Sequence, residues 1–231
     1  IMPALTLLKM SANLTSLPQQ LLNKGLPSLT TLILDGNTLT DFQDERLESQ
    51  LKILGLNDNT IGNFSDNNYP LLEELGLSVN PLANFTNNDL PNLQYLSLQG
   101  CLLTEFSLSN KLPKLEELLL YSNQITEFRN KELEQKLRTL SLGSNQITNF
   151  SNRNFESLEM LSLNRNPLES FEDNQFPQAT EISLASCGLV GKLSPTISIP
   201  KIVSLDLNQN HLTSFDCIGV NTLSYLNLSS G

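Results

Sequence analysis

Few residues in the chain have side chains suited to catalysis. His211 is the only histidine, and together with Asp206 and Ser214 it is the one candidate for a Ser–His–Asp arrangement. Cys217 lies in the same stretch and offers a thiol nucleophile as an alternative. These residues fall on one short strand and turn with no sign of a pocket around them, so we predict that the chain is not an enzyme.

Two pairs of adjacent carboxylates, Glu73/Glu74 and Glu116/Glu117, are the other acid–base candidates. Successive side chains of a strand point in different directions, so each pair divides between an edge and a face of a sheet. That placement fits a solvated acidic surface better than a glycosidase pair. The sequence has no C-x-x-C, no pair of histidines and no phosphate-binding glycine loop, so we predict no metal and no cofactor.

The overall charge excludes some classes of partner. The 231 residues include 14 Lys+Arg and 24 Asp+Glu, which give a formal net charge of -10. An acidic chain without a cluster of basic residues is a poor match for nucleic acid and for anionic membrane surfaces. No apolar run approaches the roughly 20 residues of a membrane-spanning helix, so we also predict no membrane insertion.

The elements that position every candidate residue come from an internal repeat. The first position of the motif recurs at intervals of 21 to 23 residues, at Leu29, Leu51, Leu72, Leu93, Leu115, Leu137, Leu158, Ala179, Ile202 and Leu223. Position four is Leu in every copy except Ile182, and position six is Leu throughout. Alternation of period two predicts a short strand whose leucines point inward, and stacked copies would bury them together.

The motif L-x-x-L-x-L-x-x-N/C-x-L, present ten times with an incomplete last copy, resembles that of the leucine-rich repeat family. The resemblance covers about residues 26–231 and implies an α/β fold. That fold is a right-handed solenoid, or horseshoe, with a parallel β-sheet on the concave face and loops or short helical turns on the convex face. Residues 1–25 hold one degenerate unit, and we predict a single domain over residues 1–231 that is part of a longer protein.

Two further columns have structural roles. Position nine is a ladder of side chains that can satisfy free backbone groups, at Asn37, Asn59, Asn80, Cys101, Asn123, Asn145, Asn166, Cys187 and Asn210. Position fourteen is an aromatic spine, at Phe42, Phe64, Phe85, Phe106, Phe128, Phe150, Phe171 and Phe215. Lys192 takes the place of one spine residue, within a Leu189-Val-Gly191-Lys-Leu193 return of the type common in plant repeats.

Positions three, five and seven are expected to project from the concave face. Most are small and polar, but the middle repeats carry large side chains with no core to fill, flanked by carboxylates. The candidate partner-binding residues are Glu74, Tyr95, Glu117, Leu119, Tyr121 and Met160. Tyrosine is enriched at binding hot spots, so these residues favour a protein ligand, with a basic surface as one option. Scattered surface residues without a ligand remain the alternative.

The sequence contains five N-x-S/T sequons, at Asn13, Asn63, Asn84, Asn149 and Asn227. In a secreted eukaryotic protein these would be glycosylation sites. Duplication of a repeat rich in Asn, Ser and Thr explains the same sequons without glycans. Three cysteines, two of them in the Asn column, predict no disulfide framework.

These patterns favour a non-enzymatic recognition module of a secreted or cell-surface protein. The repeat length, the Asn ladder and the opening Asn-Leu-Thr-Ser-Leu-Pro at Asn13–Pro18 resemble ectodomains of Toll-type innate-immune receptors. The alternatives are a cytoplasmic interaction scaffold and a microbial surface adhesin or structural repeat protein. Self-association is compatible with each of these interpretations.

Overall fold

The computed structural model describes residues 4–18, 25–107, 109–215 and 220–229. Cys217, the alternative nucleophile, lies outside these ranges. The chain divides into two compact units, Ile1–Leu115 and Glu116–Gly231, and each is described by itself.

The first unit contains a parallel sheet whose strands follow chain order. The strands are β1 Leu7–Lys9, β2 Thr31–Ile33, β3 Ile53–Gly55, β4 Glu74–Gly76 and β5 Tyr95–Ser97. Each residue pairs with the same motif position of the next repeat, as Leu54 does with Leu75. The degenerate first unit forms β1, which pairs with β2. A four-residue helix, α1 (Glu45–Glu48), is capped by the Asp44 side chain, which accepts from the backbone N–H of Arg46.

The second unit repeats this arrangement and adds a second, smaller sheet. The main strands are β6 Glu117–Leu119, β7 Thr139–Ser141, β8 Met160–Ser162, β9 Glu181–Ser183, β11 Ser204–Asp206 and β13 Tyr225–Asn227. The helical turns are α2 (Lys131–Glu134) and a 3-10 turn at Val220–Thr222. Strands β10 (Val190–Leu193) and β12 (His211–Phe215) pair in parallel to form the second sheet.

The core of each unit is built from motif positions one, four and six. Leu72, Leu75 and Leu77, for example, are all 0% exposed. Burying such a side chain contributes about 1.5–3 kcal/mol, and the stack of repeats multiplies that gain. The predicted leucine-rich repeat solenoid with a parallel sheet is confirmed.

Position nine satisfies the backbone where the chain leaves each strand. The amide of Asn145 donates through Nδ2 to Leu120 O and to Leu142 O, both at 2.9 Å. Its Oδ1 accepts from the backbone N–H of Ile125 at 3.0 Å. One side chain therefore ties the turns of two neighbouring repeats together.

The two described cysteines occupy position nine in their repeats and make only part of this hydrogen-bond pattern. The thiol of Cys187 donates to Leu163 O at 3.2 Å, and that of Cys101 donates to Leu77 O at 3.5 Å. Burial raises the pKa of each thiol to about 11. Both groups are therefore neutral at physiological pH and act as buried structural residues.

The aromatic spine lies behind the sheet, and a second amide ladder runs beside it. Phe150 stacks on Phe171 at 6.1 Å between ring centroids. Three residues after Phe171, Asn174 donates through Nδ2 to Phe150 O at 2.8 Å. The same bond to the preceding spine carbonyl is made by Asn88 and Asn110 in the first unit.

Candidate functional site

Positions three, five and seven lie on the face of each sheet that points away from the core, called the outer face below. Along β4, for instance, Glu74 is exposed whereas Leu75 is buried. Of the six predicted binding residues, Glu74 and Tyr95 belong to the first unit. The other four, Glu117, Leu119, Tyr121 and Met160, belong to the second.

In the first unit the parallel register sets Glu74 directly beside Tyr95. Glu74 is exposed and Tyr95 is half-buried. An amphipathic ring next to a carboxylate is a small polar–apolar surface of the kind that protein interfaces use.

In the second unit the register lines up Glu117, Thr139, Met160 and Glu181 across four neighbouring strands. Neighbouring strands are about 4.8 Å apart, so Glu117 and Met160 are separated by about 10 Å. The Met160 side chain is 44% exposed. An apolar side chain thus stands between two carboxylates, with Glu181 immediately beside it.

Tyr121 has a packing partner that the sequence-based interpretation did not anticipate. A Cβ placed on Gly143, the same motif position one repeat later, would lie 2.8 Å from Tyr121 Cδ2 and 3.0 Å from Cε2. The ring therefore lies against the Gly143 backbone, which only the absence of a side chain permits. This contact fixes the orientation of the tyrosine on the outer face.

Polar groups also lie near the phenol of Tyr121. A hydrogen bond with the Ser144 side chain lowers the pKa of Tyr121, and the nearby Arg165 guanidinium lowers it further through its charge and a hydrogen bond. Leu119, on the same strand, is half-buried. The result is an oriented aromatic ring beside an aliphatic side chain.

Position two, at the margin of the sheet, neutralises one carboxylate of each adjacent pair. Arg138 contacts Glu159 at 2.8 Å and Glu116 at 3.9 Å, and Lys52 contacts Glu73 at 2.8 Å. By contrast, the outer-face carboxylates form no ion pair with any described residue; they are Glu74, Glu117 and Glu181. The outer face thus keeps unneutralised negative charge.

The sequons differ in accessibility. Asn13, Asn63, Asn84 and Asn149 are exposed, whereas Asn227 is half-buried. Asn227 Oδ1 also accepts hydrogen bonds from Ser229 N and Oγ, at 3.2 and 2.8 Å. Four of the sequon side chains are therefore solvent-exposed, and the fifth is less accessible and lies on the outer face.

The candidate catalytic residues do not form a hydrogen-bonded group. Asp206 accepts from Asn208, at 3.1 Å from the backbone nitrogen and 3.3 Å from Nδ2. His211 and Ser214 are exposed on β12. Among the described residues, no group of His, Cys, Asp or Glu is placed to hold a metal ion.

Ser144, Arg165 and Glu181 belong to the outer-face surface but were not predicted. Ser144 and Arg165 occupy position eight, outside the columns expected to project, and both have positive φ, at 53° and 57°. Glu181 is in column three, and its position beside Met160 could have identified it from the sequence. Within the described ranges, none of the helices is both long and apolar enough to cross a membrane.

Comparison with known proteins gives the same classification as the repeat pattern. A family model described as leucine-rich repeats in two copies matches residues 91–133 and 135–175. No curated protein sequence matches the chain significantly. With the motif and the solenoid of each unit, this identifies the chain as a leucine-rich repeat protein.

Solved structures with the same fold belong to several different proteins. The functional domain of InlJ from Listeria monocytogenes has a TM-score of 0.71 at 21% identity, covering 97% of this chain and 53% of that chain. YopM from Yersinia enterocolitica has a TM-score of 0.63 at 22% identity, with coverages of 97% and 56%. The structure of TLR13 in complex with ssRNA13 has a TM-score of 0.68 at 19% identity, with coverages of 87% and 36%. This chain therefore spans less than two thirds of the length of each, and the likeness concerns the fold.

Proposed function

We propose that the chain is a non-enzymatic protein-recognition module of a secreted or cell-surface receptor, and that the outer face binds a protein ligand with a basic surface. Glu74 and Tyr95 contribute in the first unit, and Glu117, Leu119, Tyr121 and Met160 in the second. The proposal invokes no cofactor, and it does not involve nucleic acid because the chain is acidic and lacks a cluster of basic residues.

One observation carries the proposal: on the outer face of the second unit, exposed Met160 lies between carboxylates that have no ion pair among the described residues. Met160 stands between Glu117 and Glu181, and Tyr121 is held in one orientation by Gly143. Oriented aromatic and apolar anchors lose little conformational entropy on binding, and they are the groups that dominate interface energies. The flanking charges would select a basic partner and accelerate its association.

A photocrosslinking experiment tests the surface. A photoreactive phenylalanine analogue replaces Met160 in one variant and the exposed Glu132 of α2 in a matched control. Each variant is mixed with extracellular fluid from the native source and illuminated. We expect a protein crosslinked from position 160 and not from position 132. With that protein purified, Tyr121→Ala should weaken binding by about 2 kcal/mol, roughly thirtyfold. Unchanged affinity would refute the assignment of the outer face.

Localisation is tested separately. The exposed sequons Asn63, Asn84 and Asn149 support a secreted glycoprotein, so the intact mass of the native chain should fall on enzymatic deglycosylation. An unmodified mass would favour a cytoplasmic scaffold or a microbial surface protein, while leaving the binding surface untouched. Sedimentation over a range of concentrations would detect self-association.

A further inference from the structure

Arg165 differs from the other arginines of the chain in its partners. Among the described residues it alone of the arginines forms no ion pair with a carboxylate; those that do are Arg46, Arg129, Arg138 and Arg153. Arg165 is exposed and hydrogen-bonds the phenol of Tyr121. A guanidinium has five N–H donors in a planar fork, so one bond to a phenol leaves donors and the full positive charge available to a ligand.

A polar recess of about 360 Å³ lies beside Arg165 in the second unit, where the chain leaves the strands of the outer face. Positions seven and eight of consecutive repeats line it, at Asn164, Arg165, Ala185, Ser186, Asn208 and Gln209. Ala185 accounts for the opening, because it is the small residue between two asparagines of the same motif position. The recess is therefore a consequence of side-chain size in this column.

The backbone N–H groups at position eight of these repeats are already bonded. The N–H of Arg165 donates to Ala185 O at 2.8 Å, and that of Gln209 donates to Ser229 O at 2.7 Å. The N–H of Ser186 makes the same bond to the following repeat. Donors to a ligand in the recess must therefore come from side chains.

Two amide side chains of the recess keep donors without a described partner. Asn164 Oδ1 accepts from the Ser162 hydroxyl, and Gln209 Oε1 accepts from the Ser186 hydroxyl. Each bond fixes the oxygen of its amide, while no described residue accepts from Asn164 Nδ2 or Gln209 Nε2. Together with the Arg165 guanidinium, these groups give the recess a positive charge and several open donors.

The carboxylate of the adjoining strand does not neutralise this charge. Asp206 accepts through its two oxygens from Asn208, at 3.1 Å from the backbone nitrogen and 3.3 Å from Nδ2, and it forms no ion pair with Arg165. A single guanidinium among neutral amides matches a group of charge −1. A carboxylate has that charge and accepts two parallel bonds from a guanidinium. A phosphate monoester, with a charge near −2, would leave excess negative charge on a chain whose net charge is already -10.

We propose that this recess binds one carboxylate of a protein ligand, held by the Arg165 guanidinium and the amides of Asn164 and Gln209. The carboxylate belongs to an acidic side chain or to the C-terminus of the ligand. Met160 and Glu181 begin their strands, whereas the recess lies beyond the strand ends. A ligand of the outer face would thus place basic groups at one end of the strands and a carboxylate at the other. The inference rests on the proposed function only in assigning the carboxylate to a protein.

Nuclear magnetic resonance with short synthetic peptides tests the recess on the intact chain. The probes are Ac-Gly-Ser-Glu-Ser-Gly-NH2, which carries a side-chain carboxylate, and Ac-Gly-Ser-Gly-OH, which carries a terminal one. Their neutral counterparts have Gln in place of Glu and a terminal amide. We expect at least one acid peptide to shift amide resonances of residues 164–165, 185–186 and 208–209 in a saturable manner, and its neutral counterpart to bind at least tenfold more weakly. The acid peptide that binds more tightly identifies the source of the carboxylate.

Three variants separate the recess from general charge effects. Arg165→Gln should weaken the acid peptide at least tenfold, and it should fold normally because Gln209 has the same motif position and a similar φ, 53° against 57°. Ala185→Leu retains the charge but fills the recess, and it should weaken the peptide as much. The matched control, Arg129→Gln, removes one exposed positive charge elsewhere in the second unit and should leave the affinity unchanged.

Several results would overturn the carboxylate site. These are no saturable shift with either acid peptide, equal weakening by Arg165→Gln and Arg129→Gln, full affinity in Ala185→Leu, and tighter binding of inorganic phosphate than of both acid peptides. None of them would affect crosslinking from position 160, so failure of this site and failure of the proposed outer-face function are distinguishable.

Discussion

Arg153 and Glu134 form a largely buried ion pair, with Arg153 Nη1 2.9 Å from Glu134 Oε1 and side chains only 13% and 8% exposed. Arg153 occupies the column that holds Asn174 one repeat later. Its Nη2 donates to Phe128 O at 2.7 Å, replacing the amide bond of the ladder, and its guanidinium lies 5.4 Å from the Phe150 ring centroid. Its buried Nε has no hydrogen-bond partner. One arginine thus takes over an amide's role and requires a buried carboxylate to balance its charge.

Removing Arg153 should therefore be strongly destabilising. Arg153→Ala leaves the Glu134 carboxylate buried without its partner, and we expect the free energy of unfolding to fall by about 3–5 kcal/mol in urea denaturation. Arg153→Asn combined with Glu134→Gln should recover most of the loss, because it restores a ladder amide and removes the charge. The exposed pair Arg138–Glu159 is the control, and breaking it should hardly change the unfolding midpoint. Equal effects of the two pairs would contradict this account.

Removing the hydroxyl of Tyr69 should stabilise the protein. It is 0% exposed, stacks on Phe64 at 6.3 Å, and its OH has no hydrogen-bond partner. The equivalent position three residues before the next repeat is Phe155 or Phe176 in the second unit. Tyr69→Phe should therefore raise the free energy of unfolding by about 1–2 kcal/mol.

The same substitution should change the response to alkali. Burial, and then the charges of Glu48 and Asp44, raise the pKa of Tyr69 far above its ordinary value. A raised folded-state pKa gives stability that is complete below the unfolded value of about 10 and is lost as pH rises above it. Tyr69→Phe should flatten that alkaline loss in unfolding measured against pH. An unchanged alkaline slope would show that another group is responsible.

The repeat made the fold predictable because each turn needs the same few groups: inward leucines, an amide at position nine and a ring at position fourteen. Departures from the rule were harder to interpret. The sequence placed Lys192 in the spine column, but in the structure the register of β10 shifts, so that buried Leu193 is paired with Phe215 and Lys192 with Ser214. The sequence did not show this shift, nor that β10 would pair with β12. Similarly, the contact of Tyr121 with Gly143 joins two residues of one column across adjacent repeats. This contact becomes evident only when the sizes of the residues at one motif position are compared between adjacent repeats, rather than along one strand.

Replacing the position-nine amide tests how much each ladder rung contributes. Asn145→Ala would leave the N–H of Ile125 unsatisfied, and a buried unsatisfied group costs about 1–3 kcal/mol. Leu120 O and Leu142 O would each lose one amide donor but keep another, from Asn123 and Asn166 respectively. Asn145→Cys should cost less, because Cys187 shows that a thiol in this column still donates to the preceding repeat. Chemical denaturation of the two variants provides the measurement. If Asn145→Cys destabilised the protein as much as Asn145→Ala, hydrogen bonding to the preceding repeat would not explain why position nine holds Asn or Cys.

The polar support of Tyr121 should be visible in its titration. Ser144 has a positive φ of 53°, so Ser144→Gly removes the hydroxyl without backbone strain. We expect the pKa of Tyr121 to rise toward its ordinary value, followed by tyrosinate absorbance with Tyr121→Phe as the reference. Because the folded pKa is lowered, the associated stability is present above the unfolded value of about 10 and is lost as pH falls through the folded pKa. Ser122→Gly, at the same motif position with φ 59°, is the matched control and should leave the titration unchanged.

Gly143→Ala should displace the Tyr121 ring from the outer face. The new Cβ would lie 2.8 Å from Tyr121 Cδ2 and would also collide with Asn164 Oδ1, so the ring and the amide must both move. Overpacking of this kind costs about 1–3 kcal/mol where neighbours cannot adjust. Because both neighbours lie at the surface, we expect a small loss of stability, a large change in the Tyr121 ring resonances, and loss of the lowered pKa. Gly62→Ala, where a Cβ meets nothing within 4 Å, is the control. A Tyr121 ring unmoved by Gly143→Ala would show that glycine does not orient the tyrosine, and the argument for a preformed anchor on this face would fail.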